Sequence, residues 1–108
     1  MIPDAPLNLD DSIAVTATPN AVTATLHCHN PDGSLWNMVL TISPRSRRRN
    51  PIVELYCGET RYKLDTLDPA NASARERFVR DCGVLEENHY SVRMLLVRAA
   101  DEYLGYWR

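Results

Sequence analysis

The sequence predicts an α+β protein: an antiparallel sheet of about five strands, a meander of two to three hairpins, followed by two C-terminal helices packed on one face. Three observations carry this. Residues 12–42 alternate apolar and small polar side chains about a Pro-Asp-Gly reversal, residues 52–64 do so about Gly58, and after Asp68-Pro69 the apolar spacing lengthens from two to three or four.

The first eleven residues, with Pro3 and Pro6, read as an irregular lead-in along the sheet edge. From Ser12 to Thr18, Ile13, Val15 and Ala17 point one way and threonine the other. Pro19-Asn20 then reverses the chain. Proline cannot adopt the positive φ of a primed two-residue turn, so a four-residue loop is expected, with Ala17 opposite Val22, Val15 opposite Ala24 and Ile13 opposite Leu26.

The turn Asn30-Pro31-Asp32-Gly33 sets the next pairing. Pro31 fixes its φ, Asp32 tolerates the third turn position and Gly33 takes a left-handed conformation, which suits a type I turn closed by a glycine bulge. His29 then lies opposite Leu35. One face carries Cys28 with Trp36, Leu26 with Met38, Ala24 with Leu40 and Val22 with Ile42; the other carries His27 with Asn37, Thr25 with Val39 and Thr23 with Thr41. A one-residue slip would set Leu26 and Val22 against polar partners, so turn and pattern specify one register.

After Ile42 comes an exposed connection over 43–51, with two prolines bracketing Arg45, Arg47, Arg48 and Arg49. Ile52–Leu64 forms the next hairpin, with Gly58-Glu59 as a type II′ turn. The expected pairs are Leu55 with Tyr62 and Val53 with Leu64 on one face, and Glu54 with Lys63 and Tyr56 with Arg61 on the other.

Asp68-Pro69 reads as an N-cap followed by proline at the first helical position, with Ser73 and Glu76 as an alternative capping box. Ala70, Ala74, Phe78 and Cys82 recur every four residues, and Gly83 is the expected terminator. Val92, Leu95, Leu96, Ala99 and Tyr103 form a helical stripe. Tyr90, Val92, Met94 and Leu96 also alternate, so a strand pair over 89–107 is the alternative to the favoured helix.

At 108 residues the chain is one domain, 1–108, comprising the lead-in, the sheet over 12–65 with its loop at 43–51, and the helical segment over 68–108. No apolar run approaches the roughly 20 residues that span a bilayer, and the start lacks a secretory pattern, so no membrane contact and a cytoplasmic location are expected. Cys28, Cys57 and Cys82 are odd in number and widely spaced, which argues against a disulfide framework or a zinc ribbon and for small buried hydrophobes.

Charge is distributed unevenly. The first 44 residues contain Asp4, Asp10, Asp11 and Asp32 and no Lys or Arg; the twelve basic residues follow, all arginine but Lys63. Clustered guanidinium groups at Arg45, Arg47, Arg48 and Arg49 would grip a partner's carboxylates or phosphates. The net charge of −2 favours an acidic protein surface over nucleic acid. Tyr56 and Arg61 on the sheet, and Tyr106 and Trp107 at the chain's close, complete the expected partner-binding set.

Catalytic patterns are sparse. His27 and His29 share a strand face at a spacing that can chelate a transition metal, but the sequence places no third ligand beside them, so no metal and no cofactor is expected. Cys28 alternates away from both histidines, and there is no phosphate loop or nucleophile elbow. The expectation is a small non-enzymatic protein-binding module, an inhibitor or adaptor of the phage, mobile-element or immunity type, recognising an acidic partner surface through its arginine-rich loop. Alternatives are nucleic-acid binding by the Arg45–Arg49 loop, a small metal-dependent or hydrolytic enzyme using His27 and His29, and a homodimer contact through the C-terminal aromatics.

Overall fold

The computed structural model describes residues 12–30, 32–46 and 49–107, the Trp107 side chain excepted. The lead-in expected over 1–11, Pro31, Arg47 and Arg48 lie outside the described residues. Five antiparallel strands, β1 (Ile13–Ala17), β2 (Val22–His29), β3 (Leu35–Ser43), β4 (Ile52–Cys57) and β5 (Thr60–Thr66), follow chain order across one sheet. Two helices come after them, α1 (Ala72–Arg80) and α2 (His89–Trp107), joined through a 3₁₀ turn at Glu86–Asn88. The stripe over 89–107 is therefore helical, because its apolar positions recur at three and four and close on the sheet as Val92, Leu95, Leu96, Ala99 and Ala100, all buried.

The first two hairpins have the expected register. Ile13 faces Leu26, Val15 faces Ala24 and Ala17 faces Val22. From Val22 opposite Ile42 to His29 opposite Leu35, β2 and β3 pair residue by residue as the turn requires. Gly33 stands at φ 88°. Its N–H donates to the Asn30 carbonyl at 2.9 Å, and the Asn30 N–H donates to the Ser34 carbonyl at 2.9 Å, the two bonds of a type I turn closed by a bulge. Asp32 Oδ1 accepts from the Ser34 N–H at 2.9 Å and the Ser34 hydroxyl at 2.6 Å. At the β1–β2 loop the Thr18 N–H donates to the Ala21 carbonyl at 2.9 Å. The Thr18 hydroxyl oxygen accepts from the Ala21 N–H at 3.2 Å, so a side chain replaces the return backbone bond beside Pro19.

The last hairpin departs from expectation. Gly58 takes φ 63° as a type II′ turn requires, and Tyr56 faces Arg61. Beyond that pair a bulge intervenes between Leu55 and Tyr56, so Leu55 faces Lys63, Glu54 faces Leu64 and Val53 faces Asp65. The expected pairs Leu55–Tyr62, Val53–Leu64 and Glu54–Lys63 are thus displaced by one residue. The cause lies in coverage: α2 packs on β1, β2 and β3, leaving β5 as an edge where an inward apolar row would have little to bury against. Lys63 and Asp65, inward-facing charges on that edge, obstruct pairing with another chain.

The start of α1 also moves. Asp68 belongs to a preceding turn, its Oδ1 accepting from the Ala70 N–H at 3.0 Å. The N-cap is Asn71, whose Oδ1 accepts from the Ala74 N–H at 3.1 Å. Glu76 closes no capping box with Ser73; it forms a two-bond ion pair with Arg93 of α2, at 2.6 and 2.9 Å. Gly83 follows the helix end at φ 84°. Ala74, Phe78 and Cys82 face the core as expected, while Ala70 is exposed in the turn.

One apolar cluster joins Leu26, Met38, Leu40, Ile42, Val53 and Leu55 from the sheet to Phe78, Val79, Leu95 and Leu96 from the helices. Each such buried side chain contributes roughly 1.5–3 kcal/mol over its exposed state. No polar or charged residue among those described is buried. Both helices lie against this side, and neither of them covers the other side of the sheet.

Candidate functional site

The expected partner-binding residues divide between two regions. Arg45 and Arg49 lie in the β3–β4 connection, at the end of the sheet where Val22 faces Ile42. Arg45 Nε donates to the Asn50 carbonyl at 2.8 Å, and the Arg49 N–H donates to the Ser46 carbonyl at 3.0 Å, so the loop is braced by one of its own arginines. Both arginines are exposed. The chain returns along α1, and α2 then runs about 28 Å, at 1.5 Å per residue, back toward this end. Tyr103 is half-buried against the core and burial raises its phenol pKa; Tyr106 is exposed in the last turn.

Tyr56 and Arg61 belong to the sheet face opposite the helices. The Tyr56 hydroxyl donates to Glu54 Oε2 at 3.1 Å, and an Arg61 guanidinium nitrogen donates to the same oxygen at 3.4 Å. Glu54 is thereby the shared acceptor of a ring and a cation, with its side chain only 21% exposed against 53% for Arg61. Around this trio the face is uncharged. Thr16, Thr23 and Thr41 form one row leading to Glu54 and Leu64; Ala14, Thr25 and Val39 form the next, leading to Tyr56 and Arg61. Leu64 is 47% exposed and Leu35, at the hairpin end, 69%.

The histidines are engaged separately. His27 Nδ1 lies 2.7 Å from Asn37 Oδ1 and donates to it, since an amide oxygen only accepts. His89 Nε2 lies 3.3 Å from the Val84 carbonyl, across the α1–α2 connection. Among the described residues no group of three His, Cys, Asp or Glu side chains is placed to hold a metal ion. No described helix is long and apolar enough to cross a membrane.

A cleft of about 460 Å³ opens at the hairpin end, on the helix side of the sheet. Asn30 and Trp36 border it from the β2–β3 hairpin, Cys57, Gly58 and Tyr62 from β4 and β5, and Gly83, Val84, Leu85 and Asn88 from the α1–α2 connection. Gly58 is tied to the adjacent strand by its N–H, which donates to the Asn37 carbonyl at 2.8 Å. Tyr62 is the residue that the β5 bulge leaves without a cross-strand partner, a common way for a sheet edge to re-aim a side chain. Cys57 and Cys28 are half-buried and Cys82 is buried. Burial, with the nearby Cys82 and Cys28 adding to it, pushes the Cys57 thiol up to about 11. Burial raises Cys28 as well, so these thiols behave as small apolar groups rather than nucleophiles.

The cleft was not foreseen from the sequence. Its walls come from four separate stretches, and only Trp36 next to a glycine-closed hairpin offered a signal. No protein-family model, curated protein or solved structure matches this chain. Fold and surface alone therefore define its class: a five-stranded antiparallel meander with a helical hairpin on one side and a threonine-rich face, not covered by these helices, on the other.

Proposed function

We propose that the protein is a non-enzymatic binding module that takes a protein partner against the face of its sheet opposite the helices, with the Arg45–Arg49 loop at the rim gripping acidic groups. The observation that carries this is that, among the described residues, no helix covers that face. Rows spanning all five strands present threonine, valine and tyrosine, with one ion pair among them. Such a surface loses little on desolvation, and short stiff side chains lose little entropy on ordering. An acidic partner suits the arginines, and an inhibitor or adaptor is the role we propose for such a module.

Nucleic acid is the second reading, and it rests on the loop alone. The face beside the loop supports it weakly, because Arg61 is engaged by Glu54 and the central rows offer no aromatic series for base stacking. Affinity purification from the native host separates the two. A protein recovered in stoichiometric amount, and lost from both Thr16→Glu/Thr25→Glu and Arg45→Ala/Arg49→Ala variants of unchanged circular dichroism, supports the first reading. A partner retained by both variants refutes it. Nucleic acid recovered instead, released by salt with a steep log–log slope, favours the second.

A further inference from the structure

We infer that the cleft at the hairpin end is a binding site for a small neutral aromatic molecule carrying an amide-like edge. This goes beyond the partner reading and does not depend on it, since the cleft lies on the helix side of the sheet and at the end away from the arginine loop. Its volume of about 460 Å³ falls in the range of sites that enclose small ligands, roughly 300–1,000 Å³.

Three features specify the ligand. Apolar bodies dominate the walls: the Trp36 indole is half-buried, and Tyr62 and Leu85 are 44% and 67% exposed around the opening. Two polar groups there lack protein partners, while the Asn30 amide donates to the Ser34 hydroxyl at 2.9 Å. Neither the Trp36 indole N–H nor the Asn88 side-chain amide makes a hydrogen bond to a described residue, although both residues are half-buried, where such groups ordinarily find one. An indole N–H asks for an acceptor; a carboxamide offers a donor and an acceptor. Charge is the third feature. The described lining residues carry no formal charge, since the Cys57 thiol stays protonated at neutral pH. The charged positions next to them in the chain carry both signs: Glu59, Glu86 and Glu87 are exposed acids, and Arg61 and Lys63 flank Tyr62. An unmet N–H donor among uncharged walls selects a neutral acceptor, since a charged one would be desolvated there without a partner. The Tyr62 bulge gives the cleft its second ring.

Indole-3-carboxamide and indole-3-carboxylate, nearly isosteric and differing in charge, test this on the ¹⁵N-labelled full chain. Trp107→Phe leaves Trp36 as the one indole N–H signal. The carboxamide is expected to shift that signal and the Asn88 amide signals saturably at millimolar concentration, with the carboxylate about tenfold weaker because its charge must be desolvated against uncharged walls. Asn88→Ala is expected to weaken the carboxamide by about threefold to tenfold. Leu85→Arg, at an exposed position that folding does not require, is expected to abolish the shifts while the remaining spectrum stays dispersed. No saturable shift at Trp36, equal affinity for the carboxylate, or full binding by Leu85→Arg would each overturn the assignment.

Discussion

Cys57 shows how a residue's environment decides its chemistry. Its thiol, pushed up to about 11 by burial, keeps its proton at neutral pH. Site-resolved alkylation of the folded protein should find Cys57 nearly inert at pH 7, with labelling rising only toward pH 11; rapid labelling at pH 7 would contradict its burial. The same shift has a thermodynamic sign. A folded pKa raised from 9.0 to about 11 contributes stability that is complete below pH 9 and is lost as the pH climbs to about 11. Glu76 has the opposite sign, because the Arg93 hydrogen bonds hold its carboxyl below the usual range. Its contribution is present above the unfolded pKa and disappears as the pH falls through the lowered folded value. Both partners are on the surface, so Glu76→Gln should cost only about 0.3–1 kcal/mol at pH 7, and less in acid, by urea unfolding at the two pH values.

At the scale of elements, local chemistry was legible where it stood alone and illegible where a tertiary neighbour decided. The β2–β3 pairing could be read because a proline, an aspartate and a glycine fix the loop and both strands alternate. In the β4–β5 hairpin the turn was equally legible, but the bulge was not: whether Leu64 faces inward depends on whether a helix reaches β5, and helix coverage is not written in the strand. The N-cap of α1 is a similar case. Asp68, Asn71 and Ser73 are all competent caps, and the chain uses Asp68 for a turn and Asn71 for the cap. Asn71→Ala should therefore lower stability by about 1 kcal/mol and Ser73→Ala by much less, measured by thermal unfolding. A larger loss at Ser73 would relocate the helix start. The candidate surfaces divide likewise. Tyr56 and Arg61 could be placed by alternation, whereas the cleft joins stretches near 30, 57, 62 and 85 that no local pattern relates.

Across the described residues, sheet order is chain order, yet α2, the last described element, lies over β1, the first strand. Everything between is settled by neighbours in sequence; that one long return closes the core. Phe78→Ala, at a fully enclosed ring, should cost about 3–5 kcal/mol and unfold cooperatively with the sheet, as chemical denaturation followed by both circular dichroism and Trp36 emission would show. Non-coincident transitions would mean that sheet and helices melt as separate units.

The late arrival of α2 has a consequence for synthesis. While the ribosome is still reading codons for the residues before His89, the nascent sheet can already zip from hairpin to hairpin, but Leu26, Met38 and Leu40 do not yet have α2 over them. A stalled or prematurely terminated product would thus display a sticky apolar plane, a form suited to capture by chaperones and proteases.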